Sequence, residues 1–347
     1  MRERVARNAL FVTVAGVLAL AAEPAAQGAT TVEPDAVLTE VPARDSREGR
    51  ELAALERDPN AKLELARAYL EASRRDGDPR YLGLAEGALQ GLEDRDARVL
   101  RATILQSRHE FTAALAELET VLQEGEDAQA RLTQATIFTV LAEYDRARAS
   151  CRALPPSVYA NACLASIDAL NGADVRDRLQ PRGSERAWLL SLIGEQSYWL
   201  GEQGRAEREL SASLELASDR YTRALLDDLR LDRGEPADGD DLHRALSELA
   251  RGAPGEAVAR VEAQFAESRD GVHQREESRF WLARGERARA LRLAQRNWAV
   301  QREPWDARVL LEAATTKEEA APALAWLERT HFASPHLRSL AAKLGAP

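Results

Sequence analysis

The chain has 347 residues, 30% charged and 45% hydrophobic, with 47 basic against 57 acidic side chains and a net charge of −10. That profile belongs to a globular protein rather than a disordered one, and its acidity weighs against nucleic-acid binding. Ala and Leu are abundant while aromatics are 5%, which excludes a sheet-rich fold because strands draw on β-branched and aromatic residues. Lys occurs only at Lys62, Lys317 and Lys343, so 44 of the 47 cations are Arg. These are interleaved with Asp and Glu along the whole chain, as GC-rich coding would give, and are not gathered into a phosphate-binding cluster.

The amino terminus reads as a secretory signal. Arg2, Arg4 and Arg7 precede an uncharged apolar stretch from Ala9 to Leu20, and Ala19-Leu20-Ala21 offers small residues where a signal peptidase reads. The apolar run is short of the roughly 20 residues that span a bilayer, so residues 1–21 are expected to be a cleaved leader; the alternative is an uncleaved amino-terminal membrane anchor. Cleavage after Ala21 removes Arg2, Arg4, Arg7 and Glu3 and takes the charge from −10 to about −12. Residues 22–45 hold Pro24, Pro34 and Pro42 without helical apolar spacing and read as a disordered linker. No later segment is apolar enough to cross a membrane, so the mature protein is expected to be exported, periplasmic or beyond, without stable membrane insertion.

From residue 46 to 347 the sequence reads as one helical repeat domain. Small residues recur 12 apart at Ala102 and Ala114, Ala135 and Ala147, Gly194 and Ala206, and Ser278 and Ala290. Four residues after the second member stand Leu118, Cys151, Leu210 and Ala294. Two antiparallel helices joined by a short turn approach closely only where the crossing side chains are small. Phe111 and Tyr144, 33 residues apart, open second helices and would cover their turns. The unit around Tyr159–Leu179 has a short second helix, the stretch from Tyr221 to Ser268 is irregular in phase, and Leu337–Leu344 reads as a capping helix.

These positions resemble the tetratricopeptide repeat (TPR) family. Trp188 to Leu214 carries the pattern best, with Ile193-Gly194, Tyr198, Gly201, Ala206, Leu210 and Ser213; Trp281, Gly285, Ala290 and Ala294 repeat it. Asp78-Pro-Arg-Tyr-Leu-Gly83 and Arg101 to His109 are also similar to exported bacterial repeat proteins. The resemblance implies an all-α, right-handed superhelical array of about eight antiparallel hairpins, each burying its neighbour's apolar face. The alternative is a helical toroid or bundle. It also implies a concave binding face lined by first helices, here Thr103, Gln106, Thr133, Thr136, Glu195, Tyr198 and Arg279. The Lys/Asn/Arg clamp by which some members hold a terminal carboxylate is not visible in this sequence.

Cys151 lies late in a second helix and Cys163 early in the next first helix, joined by the Ala-Leu-Pro-Pro-Ser loop. Antiparallel neighbours so joined bring the two together, and in an exported protein this favours a disulfide; the alternative is a pair of buried thiols. Catalytic motifs are lacking: there is no Gly-rich phosphate loop, His-Glu-x-x-His or Gly-x-Ser-x-Gly. Of the five His, His331 and His336 are separated by Pro335, which argues against a shared metal site, and His109 falls in a hairpin turn. Asp227-Asp228 and the Asp238-Gly-Asp240-Asp241 run are the densest carboxylates; the second reads as a solvated loop that caps the next helix, or as a weak cation site. Gln295 to Trp305 concentrates Arg296, Asn297, Trp298 and Trp305, residue types enriched at binding hot spots, or else packing the junction of two hairpins. The sequence thus points to a non-enzymatic scaffold, without cofactor or metal, binding a protein or peptide in the bacterial cell envelope. The alternative is an accessory or catalytic protein acting on envelope polymers.

Overall fold

The computed structural model describes residues 47–346 apart from 77, 79 and 268–272. The leader (1–21) and the linker (22–45) lie outside the described residues. Among the described residues there are eighteen α-helices and no strand. Fourteen helices form seven antiparallel pairs: α2 (Lys62–Asp76) with α3 (Arg80–Ala88), α4 (Arg95–Ser107) with α5 (Phe111–Glu124), α6 (Ala128–Val140) with α7 (Tyr144–Arg152), α9 (Arg186–Trp199) with α10 (Gln203–Leu216), α12 (Asp241–Ala250) with α13 (Glu256–Glu267), α14 (Gln274–Ala283) with α15 (Arg287–Val300), and α16 (Pro304–Ala313) with α17 (Ala321–Thr330). Helices α8 (Val158–Leu170) and α11 (Arg220–Asp232) stand without a helical second half, while α1 (Arg47–Arg57) and α18 (Pro335–Lys343) flank the array. This is a TPR-like array of helical hairpins, with seven full pairs among the described residues where about eight were expected.

Local chemistry sets the helix ends. Five helices, α4, α6, α8, α11 and α12, start on an Asp or Ser whose side chain accepts the amide three residues on: Asp94, Asp127, Ser157, Asp219 and Asp240. This satisfies one of the amides left free at a helix start. The turn to the second helix recurs as a left-handed residue followed by Glu: His109-Glu110, Ala142-Glu143, Gly201-Glu202 and Gly285-Glu286. Each Glu amide bonds the carbonyl five residues back, Glu110 to Leu105 at 2.9 Å and Glu143 to Phe138 at 2.8 Å, which closes a Schellman motif. Ring stacking of His109 on Phe111, 5.6 Å between centroids, covers the first of these turns.

The 12-residue interval marks the helix crossings. Ala102, Ala114, Ala147, Ala206, Ser278 and Ala290 are fully buried and Ala135 nearly so. Ser278 Oγ donates across its crossing to Ala290 O at 2.8 Å. At Gly194 a methyl group would lie 2.8 Å from Leu210 Cγ and Cδ2, so only glycine admits this approach. Cys151 and Cys163 form a disulfide with Cα atoms 5.8 Å apart, clipping α7 to α8. After α8 the second helix is reduced to a 3₁₀ turn at Arg176–Arg178, as expected for that unit.

The array does not stay open. The C-terminal third turns back onto the central hairpins: Arg302 N donates to Val140 O at 2.8 Å, Arg302 Nη1 to Leu141 O at 3.2 Å, and Trp326 Nε1 to Tyr144 Oη at 2.9 Å. Trp199 packs edge-on against Trp305 and Phe332, inside an apolar cluster that runs from Tyr198 to Leu337. Helix α11 also touches α2 of the first hairpin. The C-terminal third therefore closes back on the central hairpins, and residues 304–311 are buried there.

Candidate functional site

Of the seven residues expected to bind a partner, four are buried and Thr136, Glu195 and Arg279 are half-buried. Thr103, Thr133 and Thr136 each donate their hydroxyl to the carbonyl one turn back, at 3.0 Å. Thr103, Gln106, Thr133 and Tyr198 are buried. Glu195 accepts from Tyr221 Oη at 2.5 Å, and burial raises its pKa.

Tyr198, Arg279 and Trp305 meet at the centre. The Tyr198 and Trp305 rings stack with centroids 5.6 Å apart. The Arg279 and Arg308 guanidinium carbons each lie 5.0 Å from the Trp305 ring centroid, a cation–π arrangement. Tyr198 Oη donates to Asp232 Oδ2 at 2.7 Å and accepts from Arg308 Nη1, while Arg308 Nη2 bonds Asp232 Oδ1 at 2.6 Å. Arg279 donates to Asp228. Asp228 in turn faces His243 Nε2 at 3.2 Å, and His243 Nδ1 lies 2.8 Å from Asp240 Oδ1. Burial alone would strip the proton from His243, but Asp228 and Asp240 outweigh it and lift its pKa to about 10. Burial likewise works against the Asp228 carboxylate, yet Arg279 and His243 hold it well below the usual range. Asp240 also accepts the His243 amide at 2.8 Å as the cap of α12, so the acidic run caps the following helix.

Sequence reasoning missed Asp228, Asp232, His243 and Arg308 as a connected network. The available signal was a pair of Asp inside an amphipathic helix, a place that usually holds apolar groups. Of the Gln295–Trp305 segment, Trp298 and Trp305 are buried, Asn297 Nδ2 donates to Asp306 Oδ1 at 2.7 Å, and Gln301 donates to Asn297 at 2.9 Å. These residues join two hairpins. Of Arg296, Asn297, Trp298 and Trp305, only Arg296 is exposed. It lies on one line of α15 with Arg292 and Val300, spaced four residues apart and all exposed. The other two Arg of α15 are engaged: Arg287 bonds the Glu312 and Ala313 carbonyls, and Arg289 pairs with Glu277 over the Trp281 ring. Arg292 and Arg296 form no ion pair or side-chain hydrogen bond among the described residues.

Among the described residues no group of three or more His, Cys, Asp or Glu is arranged to hold a metal ion. The buried carboxylates Glu303 and Asp306 converge at the start of α16, where Asp306 Oδ2 accepts the Glu303 amide at 2.8 Å.

No protein-family model and no curated protein matches the chain. Among solved structures it is similar to a tetratricopeptide repeat protein from Parabacteroides merdae ATCC 43184, at 14% identity, over 78% of this chain and 98% of that one, with a TM-score of 0.33.

Proposed function

We propose that the protein is an exported, non-enzymatic scaffold that binds a protein or peptide partner in the bacterial cell envelope. A hairpin array offers extended helical faces for this purpose. A disulfide suits an oxidising compartment, and no described helix is long and apolar enough to cross a membrane. Because Thr103, Gln106, Thr133 and Tyr198 are buried, this reading places the contact surface on exposed helix faces. The observation that carries this is the Arg292–Arg296–Val300 line: two unpaired guanidinium groups beside an exposed aliphatic side chain, 38% exposed. It fits an acidic segment bearing an apolar anchor.

Crosslinked capture from envelope extracts tests this reading. The wild type is expected to retain a discrete partner and the Arg292→Glu/Arg296→Glu variant to lose it, with unchanged thermal unfolding. Equal capture by both proteins, or none by either, refutes it. Amino-terminal sequencing of the periplasmic protein is expected to begin at Ala22; a chain beginning at Met1 or Arg2 refutes the cleaved leader.

A further inference from the structure

The seam where the coil closes encloses more carboxyl groups than cations. Glu303 and Asp306 at the start of α16 are buried. Arg275 from α14 places Nη1 3.6 Å from Glu303 Oε2 and 3.6 Å from Asp306 Oδ1, and donates from Nε to Glu276 Oε1 at 2.9 Å. Glu195 from α9 lies close enough to act electrostatically on Glu303, as does Glu276. The hydroxyls of Tyr144 from α7 and Tyr221 from α11 feel the Glu303 charge as well. Asn297 from α15 supplies a neutral donor to Asp306. His109, from the α4–α5 turn, faces Arg275 and is held neutral, first by burial and then by that guanidinium. Three carboxyl groups, Glu276, Glu303 and Asp306, thus converge on the one Arg275 guanidinium, and Glu303 Oε1 has no hydrogen-bond partner.

One guanidinium already bonded to Glu276 does not also neutralise the buried Glu303 and Asp306, and an uncompensated buried charge is expelled or neutralised by a proton. We infer that closure of the coil is proton-coupled: the seam shuts with a proton held on the Glu303–Asp306 pair and loosens when that proton is lost. Burial, with Asp306 adding to it, pushes the Glu303 carboxyl well above its ordinary value, and burial raises Asp306 too. An acid whose pKa is raised in the closed form stabilises that form fully below its unfolded value. The contribution disappears as pH rises toward the raised value, with up to a tenfold change in the closing equilibrium per pH unit for one proton. The device therefore acts above about pH 4.5, and it is independent of the identity of any partner.

The test compares the full chain with Glu303→Gln between pH 5 and pH 8, reading the urea midpoint and the backbone hydrogen exchange of residues 301–306 and 140–144. Groups common to both proteins, His109 and His243 included, cancel in the comparison. Wild type and variant are expected to be close at pH 5 and to diverge with rising pH, the variant becoming the more stable. Seam exchange in the wild type should outpace the variant several-fold by pH 8, while α10 is unaffected. A gap that does not change with pH, or a variant weaker throughout, overturns the inference. Should Glu303→Gln fail to fold, the wild type alone decides: seam exchange that does not rise relative to α10 between pH 5 and pH 8 overturns the inference.

Discussion

Adding one methyl group at Gly194 should destabilise the protein, although the same change elsewhere stabilises it. Gly194 sits mid-helix in α9, where Ala is intrinsically preferred by about 1 kcal/mol. Here the new Cβ would meet Leu210 Cγ and Cδ2 at 2.8 Å and its backbone N at 3.2 Å. Leu210 is fully buried, so it has no free space into which to turn. Overpacking of this kind costs about 1–3 kcal/mol, leaving Gly194→Ala less stable by up to about 2 kcal/mol after the propensity gain. Leu210→Ala alone should cost about 2–5 kcal/mol. In that background the side-chain clash is gone and only the tight approach to the backbone N at 3.2 Å remains, so Gly194→Ala should lose most of its penalty and stabilise by at most about 0.5–1 kcal/mol. At Gly83, in α3, an added methyl group would meet nothing within 4 Å, and Gly83→Ala should stabilise by a similar amount. Urea unfolding of the four variants gives the signs directly. If Gly194→Ala raised the midpoint as Gly83→Ala does, or kept its penalty in the Leu210→Ala background, the crossing argument would be refuted.

Three further outcomes are expected. Titration of the unfolded, unreduced protein should find no free thiol, and Cys151→Ser/Cys163→Ser should lower stability by about 2–3 kcal/mol, since the bridge closes a short loop; two free thiols would exclude the bridge. Ala142→Gly should raise stability in urea unfolding by about 0.5–1 kcal/mol, because Ala142 holds φ +57° in the region that favours glycine; a lower midpoint would exclude this account of the turn. His243 has its pKa raised to about 10, so its stabilisation is complete below about pH 6.5 and fades as pH climbs through 10. The advantage of wild type over His243→Gln should therefore shrink between pH 7 and pH 10, and an advantage that grew would contradict the imidazolium assignment.

Much of the fold was legible because it is local. The 12-residue spacing, the aromatic at the start of a second helix, and the pairing of Cys151 with Cys163 all express contacts between elements adjacent in sequence. The turn chemistry was not read from the sequence: Gly201 and Gly285 precede Glu at two of these turns, but His109 and Ala142 hold the same left-handed place at the others. Closure was not legible. Arg302 meets Val140 and Trp326 meets Tyr144 across more than 150 residues, and no short-range period reports on such a contact. For the same reason Thr103, Gln106 and Tyr198 read as the lining of a groove: a polar side chain on an inner helix face looks alike whether water, a ligand or the chain's own far end lies opposite. Asp228 and His243 were visible only as members of acidic or His inventories, because their meaning depends on Arg279, which is 51 residues away from Asp228.

The joining of the coil's two halves changes how such a chain can vary. In an open repeat array each unit answers only to its neighbours, so units are added or trimmed at either end and stability adjusts in steps. Here Trp199 leans on Phe332 and Tyr144 on Trp326, so the length of the intervening chain is fixed by the fit of its ends. Inserting one more hairpin between them would move Val140 away from Arg302 rather than lengthen a surface. Deleting α17 and α18 would unroof the central helices and not merely shorten the array. Contacts of this span predict that the described residues unfold together rather than unit by unit, and that substitution within units is tolerated far better than gain or loss of whole units.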